Sequence, residues 1–205
     1  LIAEAQHQRL ADERLWRLLL HYKPTLAGGL ESEADGQGFF LHPDGKVDPQ
    51  AELAATLEAF FSGVSSQYQS DPQWQHPQCR FPARYAWLKN RLAFDAGRLR
   101  EHPCPRFESW RQALNPGSVS LIFASHYLSN PASMFGHTLL RLNHDKRQGA
   151  QSLLDYGINY AAITTTRNGF LYAILGISGG FEGRFSSFPY YMKVQEYGNL
   201  ESRDL

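Results

Sequence analysis

Ser129-Asn130-Pro131-Ala132-Ser133-Met134-Phe135-Gly136-His137-Thr138-Leu139-Leu140-Arg141-Leu142-Asn143 is a polar, turn-forming run that passes through Gly136 into a strand opening on His137. Asn130-Pro131 and the flanking serines are turn chemistry, and from Gly136 to Leu142 strand-favouring residues take over. An imidazole at a loop-to-strand junction is backed by rigid sheet and reached by substrate from the loop side, as a general base requires. His137 is therefore the first candidate for chemistry.

Downstream, residues 152–160 also read as a strand, and 118–124 as another upstream. Alternation over 153–160 sends Leu154, Tyr156, Ile158 and Tyr160 to one face, and Asp155, Gly157 and Asn159 to the other. If that strand pairs with the His137 strand, Asn159 or Asp155 can bond one imidazole nitrogen and fix the tautomer of the other. The competing reading is a structural histidine beside solvated polar residues. Ser129 and Ser133 are near in sequence but sit in no Gly-x-Ser-x-Gly elbow, and turn roles around Asn130-Pro131 account for both. His126, His137, His144 and Asp155 lack the spacing of a helical metal site, so no metal is expected, and no cofactor either.

Ahead of this region the chain is helical and charged. Leu10, Leu15, Leu18, Leu19 and Tyr22 fall near helical spacing over residues 3–22, which Pro24 and Gly28-Gly29 end. Asp48 as N-cap and Pro49 at the first helical position open a second helix through Leu53, Leu57, Phe60 and Phe61. Residues 67–78 read as a loop, 82–99 as a helix and 107–114 as a shorter one that Asn115-Pro116-Gly117 stops. The change from helical to strand-like composition places a boundary near residue 115, giving 1–115 and 116–205. Residues 168–177 read as a helix or buried apolar segment, and 176–183 as a glycine-rich loop without a phosphate-binding fingerprint.

The chain has 205 residues, 42% of them hydrophobic and 20% charged, with zero formal net charge and a pI near 7.3. That is ordinary globular composition, and it supplies no net field to draw in nucleic acid. No apolar run approaches the roughly 20 residues that cross a bilayer, so membrane contact is assigned to regions outside this chain. Beginning at Leu1 without a signal segment, the sequence reads as a processed or excised polypeptide. Cys79 and Cys104 sit in no metal-ligand spacing. A disulfide in an oxidising compartment such as a periplasm is their simplest use, and two unpaired buried thiols are the alternative.

Ser125-His126-Tyr127, the run from Ser129 to Arg141 with its Phe135-Gly136-His137-Thr138 core, and Ile158-Asn159-Tyr160-Ala161-Ala162 resemble the Lnb N-terminal periplasmic domain family. The resemblance covers residues 116–205 well, and the helical first part only as the accessory region such proteins often carry. It implies a circularly permuted papain-like (NlpC-type) fold in which a histidine strand comes first, an orienting polar residue follows, and a nucleophilic cysteine arrives last in an Asn-Cys pair opening a helix. His137 matches the histidine, and Asn159, or else Asp155, the orienting position. Nothing from Lys193 to Leu205 matches Asn-Cys, so the nucleophile is expected beyond Leu205 and this fragment is expected to be inactive alone. The implied activity is lipoprotein N-acylation, with a phospholipid or an acylated lipoprotein as substrate.

The expectation is thus an α+β chain, a helical N-terminal region followed by an antiparallel sheet incomplete on its C-terminal side. The leading function is a periplasmic thiol acyltransferase or amidase using His137 and Asn159 or Asp155, with Ser129, Asn130 and Ser133 lining the substrate. One alternative is a non-catalytic envelope module binding lipid or peptide through Phe185, Phe188, Tyr190 and Tyr191, an aromatic set that also reads as core. Another is a serine hydrolase pairing Ser129 or Ser133 with His137.

Overall fold

The computed structural model describes residues 1–36, 38–62, 75–95, 97–124, 137–163, 166, 168–197 and 202–204. Two compact units divide the chain, Leu1–Phe107 and Glu108–Leu205. The division falls inside a helix, a few residues before the change in composition at 115.

The first unit opens with helix α1 (Ile2–His7), a 3-10 turn (Leu10–Asp12) and helix α2 (Arg14–Leu19). The single helix expected over 3–22 is therefore broken, and the break lies at Arg9, whose φ of 54° is left-handed. Burial explains it: Ala5, Leu10, Ala11, Trp16 and Leu20 are all buried, and one straight helix would spread them round its circumference. A hairpin of β1 (Tyr22–Pro24) and β2 (Leu30–Ser32) follows, with Tyr22 opposite Ser32. From the sequence alone this stretch reads only as a helix stop.

Helix α3 (Pro49–Phe61) starts as its cap signals predict. Asp48 accepts hydrogen bonds from the Gln50 and Ala51 amides, and Pro49 stands in the first turn. Helix α4 (Pro77–Arg80) forms at the end of the expected loop, and α5 (Pro82–Arg91) ends eight residues short of the expected Leu99, just before Ala93 turns to φ 45°. Leu53, Leu57, Phe60, Phe81 and Leu88 join Trp16 and Leu20 in one core. Inside it Glu52, fully buried, pairs with Arg84 at 2.8 Å and accepts from the amides of Leu41 and His42. Cys79 and Cys104 form a disulfide across 25 residues, with Cα atoms 5.2 Å apart.

Helix α6 (Pro105–Leu114) leads into the second unit, a five-stranded antiparallel sheet. Its strands are β3 (Pro116–Ala124), β4 (His137–His144), β5 (Tyr156–Ile163), β6 (Glu182–Pro189) and β7 (Ser202–Asp204), in the order β6-β5-β4-β3-β7. A 3-10 turn (Gly149–Leu154) occupies the place where the third strand was expected to begin. Helix α7 (Gly169–Ser178) joins β5 to β6, and α8 (Tyr190–Tyr197) follows β6. Ile122, Leu139 and Tyr190 make the buried cluster on one face of the sheet, with Val194 packed against it. On the other face Val119, Leu121, Leu140, Tyr160 and Phe185 are exposed.

Candidate active site

His137 is the first residue of β4, and the strand period of two puts it on the same face as the buried Leu139. Strand β5 runs antiparallel beside it, with Leu140 opposite Ile158 and Arg141 opposite Gly157. Continued to the end of β4, that register brings Asn159 level with Leu139, on the face that carries His137. There His137 Nε2 and Asn159 Oδ1 are hydrogen-bonded. Asn159 is 7% exposed, whereas His137 is only partly buried.

The faces of β5 are distributed against their hydropathy. Asp155, Gly157 and Asn159 lie inside, while Tyr160 is 44% exposed. Each inside residue has a reason. Gly157 sits beneath the Phe188 ring of β6, where a Cβ would come within 2.8 Å of a ring carbon. Asn159 has the imidazole.

Asp155 lies just ahead of β5, towards the other end of β4. At the start of β5 its carboxylate accepts from the His144 amide at 3.3 Å and lies 3.6 Å from the Arg147 guanidinium. Its carbonyl accepts from the Tyr190 amide at 2.7 Å, fixing the start of α8. Residues 155 and 159 are roughly 13 Å apart along a strand, so a carboxylate bound to the His144 end of β4 does not reach the His137 end. Asp155 is a corner clamp at the His144 end of β4, and the side chain bonded to His137 is that of Asn159. The same distances separate His137 from His144 by roughly 23 Å, and among the described residues no group of three metal-binding side chains converges.

Helix α8 completes the setting. Tyr190, 6% exposed, covers Ile122 and Leu139, and the Arg141 guanidinium lies over its ring at 5.0 Å. Sequence reasoning assigns no element here, because the stretch reads only as an aromatic set. The aromatic set divides: Tyr190 is core and Phe188 packs on β5, whereas Phe185 and Tyr191 are exposed. Ser129, Asn130, Ser133 and His126 lie outside the described residues. Neither cysteine is a free thiol.

Comparison with known proteins agrees with this division of the chain. Residues 106–205 match the family described as Lnb N-terminal periplasmic domain, and residues 8–91 match a domain of unknown function, DUF7843. No curated protein and no solved structure matches the chain.

Proposed function

With residues 106–205 belonging to the Lnb N-terminal periplasmic domain family, and the protein therefore one of the periplasmic cell envelope, we propose that it carries the base half of a thiol acyltransferase or amidase. His137 is the general base and Asn159 its orienter. The supporting observation is the hydrogen bond between His137 Nε2 and Asn159 Oδ1 across neighbouring strands. A neutral imidazole has one N–H. An amide oxygen only accepts, so the Nε2–H donates to it and the lone pair falls on Nδ1.

In the first half-reaction Nδ1 takes the proton of a cysteine thiol as the sulfur attacks an acyl carbonyl, and the S–C bond forms. The bond to the leaving oxygen or nitrogen then breaks, and the imidazolium returns its proton to that atom. In the second half an amine or water attacks the thioester, its proton passes to Nδ1, and as the C–S bond breaks Nδ1 hands that proton to the sulfur, restoring the thiol and the neutral imidazole. Asn159 is neutral, so it holds the tautomer without the strong stabilisation of imidazolium that a carboxylate would add. Both cysteines of the chain are joined to each other, so the thiol is supplied from outside these 205 residues.

The test uses the full-length protein, assayed for transfer of an acyl group from phospholipid to the amino terminus of a lipoprotein peptide. His137→Ala is expected to lower kcat by about 10²–10⁴, the range of a lost general base. Asn159→Ala is expected to lower it less, and Asp155→Asn least. Unchanged turnover in His137→Ala would end the assignment of His137 as the base, and no acyl transfer by the wild type would favour a non-catalytic module.

A further inference from the structure

No charged residue falls between Asn168 and Phe181, and α7 lies within that run. An apolar helix of this kind is expected to be buried. Here Phe170 is 77% exposed and Ile177 90%, with Leu171 at 45% and Ile174 at 46%. Their spacing of i, i+1, i+4 and i+7 gathers all four on one side of the helix. Tyr172 and Leu175, on the other side, are half-buried. The Tyr172 ring lies 5.2 Å from that of Phe181, and Leu175 sits against Gly180.

Both ends of the helix are fixed. Asn168 Oδ1 accepts from the Phe170 and Leu171 amides at 3.0 and 3.1 Å, and Gly179 closes the C-terminus at φ 72°. The stripe is thus presented by a capped helix. Its place in the fold matters too. Strand β5 ends at Ile163 and β6 begins at Glu182, paired with it, and the antiparallel register brings the His137 end of β4 to the same end of the sheet.

We propose that α7 seats this domain on a lipid bilayer, with Phe170, Leu171, Ile174 and Ile177 entering the boundary between headgroups and hydrocarbon. Area argues against a second copy as the occupant. A ten-residue helix is about 15 Å long and 10 Å wide, so two stripes face to face would bury roughly 300 Å², where stable interfaces need about 1,200 Å² or more. Charge argues against a polar partner, because the stripe has no side-chain donor, acceptor or ion with which to make the polar rim of a protein interface. Hydrocarbon asks for none, and the helix satisfies its own backbone. At about 15 Å the helix is half the thickness of a bilayer core, so it lies in the surface and does not cross. The protein belongs to a periplasmic family, and its compartment is bounded by lipid.

This inference rests on family membership and on α7, and is independent of the chemistry assigned to His137. The purified chain is sedimented with vesicles of phosphatidylethanolamine and phosphatidylglycerol. Wild type and His137→Ala are expected to bind alike, and the Phe170→Asp/Ile177→Asp double variant at least about tenfold more weakly, since each side chain forfeits its apolar transfer. As a second reading, the fluorescence of a Phe170→Trp variant is expected to shift to the blue on adding vesicles and to be quenched by brominated acyl chains, which decides the matter if the double variant misfolds. Failure of wild type to bind, equal binding by a folded double variant, or an unshifted emission from the Phe170→Trp variant would overturn the proposal. So would a dimer that the double variant loses while vesicles are ignored, which would make a second copy the occupant.

Discussion

The two units are of nearly equal length, but they bury different things. Among its described residues Leu1–Phe107 closes eleven hydrophobic residues into one core, locks Glu52 against Arg84 inside it and adds a disulfide. Glu108–Leu205 gathers only Ile122, Leu139 and Tyr190 among its described residues, and much of its apolar surface is left outside. The buried polar side chains among its described residues are Asp155 and Asn159, one clamping a strand end and a helix start, the other bonded to an imidazole. Dense burial therefore accompanies the unit without a candidate site. In the other unit the site residue is held by strand register and one neighbour more than by packing.

The comparison breaks most decisively at Glu52. Glu52→Ala strands the Arg84 guanidinium in the core and leaves the Leu41 and His42 amides without their acceptor. Losing one member of a buried pair costs about 3–5 kcal/mol. Urea unfolding followed by near-ultraviolet circular dichroism of the stacked Trp16 and Trp87 rings, whose centroids are 5.6 Å apart, reads this unit directly. Glu52→Gln, which keeps an acceptor, should cost less. A loss under about 1 kcal/mol for Glu52→Ala, no more than a surface ion pair is worth, would mean that the pair does not brace the core.

Removing the disulfide should cost somewhat less. In the chain-entropy model a bridge closing a loop of this size is worth about 3 kcal/mol. Cys79→Ser/Cys104→Ser should lower the urea midpoint of the same Trp16–Trp87 signal and steepen its slope, because the unbridged unfolded chain is less compact. An unchanged slope would take the effect away from the unfolded chain and place it in the folded core.

How far these contrasts could be read in advance depended on whether the signal was local. The α3 cap, the β4 start at His137 and the disulfide rest on short-range chemistry or on cysteine count, and each is where the sequence put it. The break at Arg9 is not visible in periodicity, because helical spacing continues across it and only three-dimensional burial of Leu10 beside Trp16 forces the turn. On β5 alternation separated the faces correctly, but hydropathy would have buried the wrong one. Asp155 and Asn159 are tolerated inside because each finds a partner from another segment. The same limit applies to Asp155 against Asn159: both share a face, and only the register chooses between them.

The smallest expected effect is acid sensitivity in the first unit. His76 caps α4 and stacks on His102, with ring centroids 3.7 Å apart. Burial, reinforced by His102, holds the His76 imidazole down at about 4, and burial with nearby Arg100 lowers His102 as well. Burial also lowers His21. The folded state thus favours neutral rings, while the unfolded chain takes up protons near pH 6.5. Stability from this source is complete above pH 6.5, falls as pH drops towards about 4, and is flat below. Each unit of depression is worth about 1.4 kcal/mol, and with solvent screening of the exposed parts His76 should account for about 2 kcal/mol in all. The diagnostic window is pH 7 to 5, above the range in which ordinary carboxylates titrate. There His76→Phe, which keeps an aromatic ring against His102 but cannot take a proton, should flatten most of the slope in the Trp16–Trp87 signal. An unchanged slope would remove His76 from the account and leave His102 and His21 to carry it.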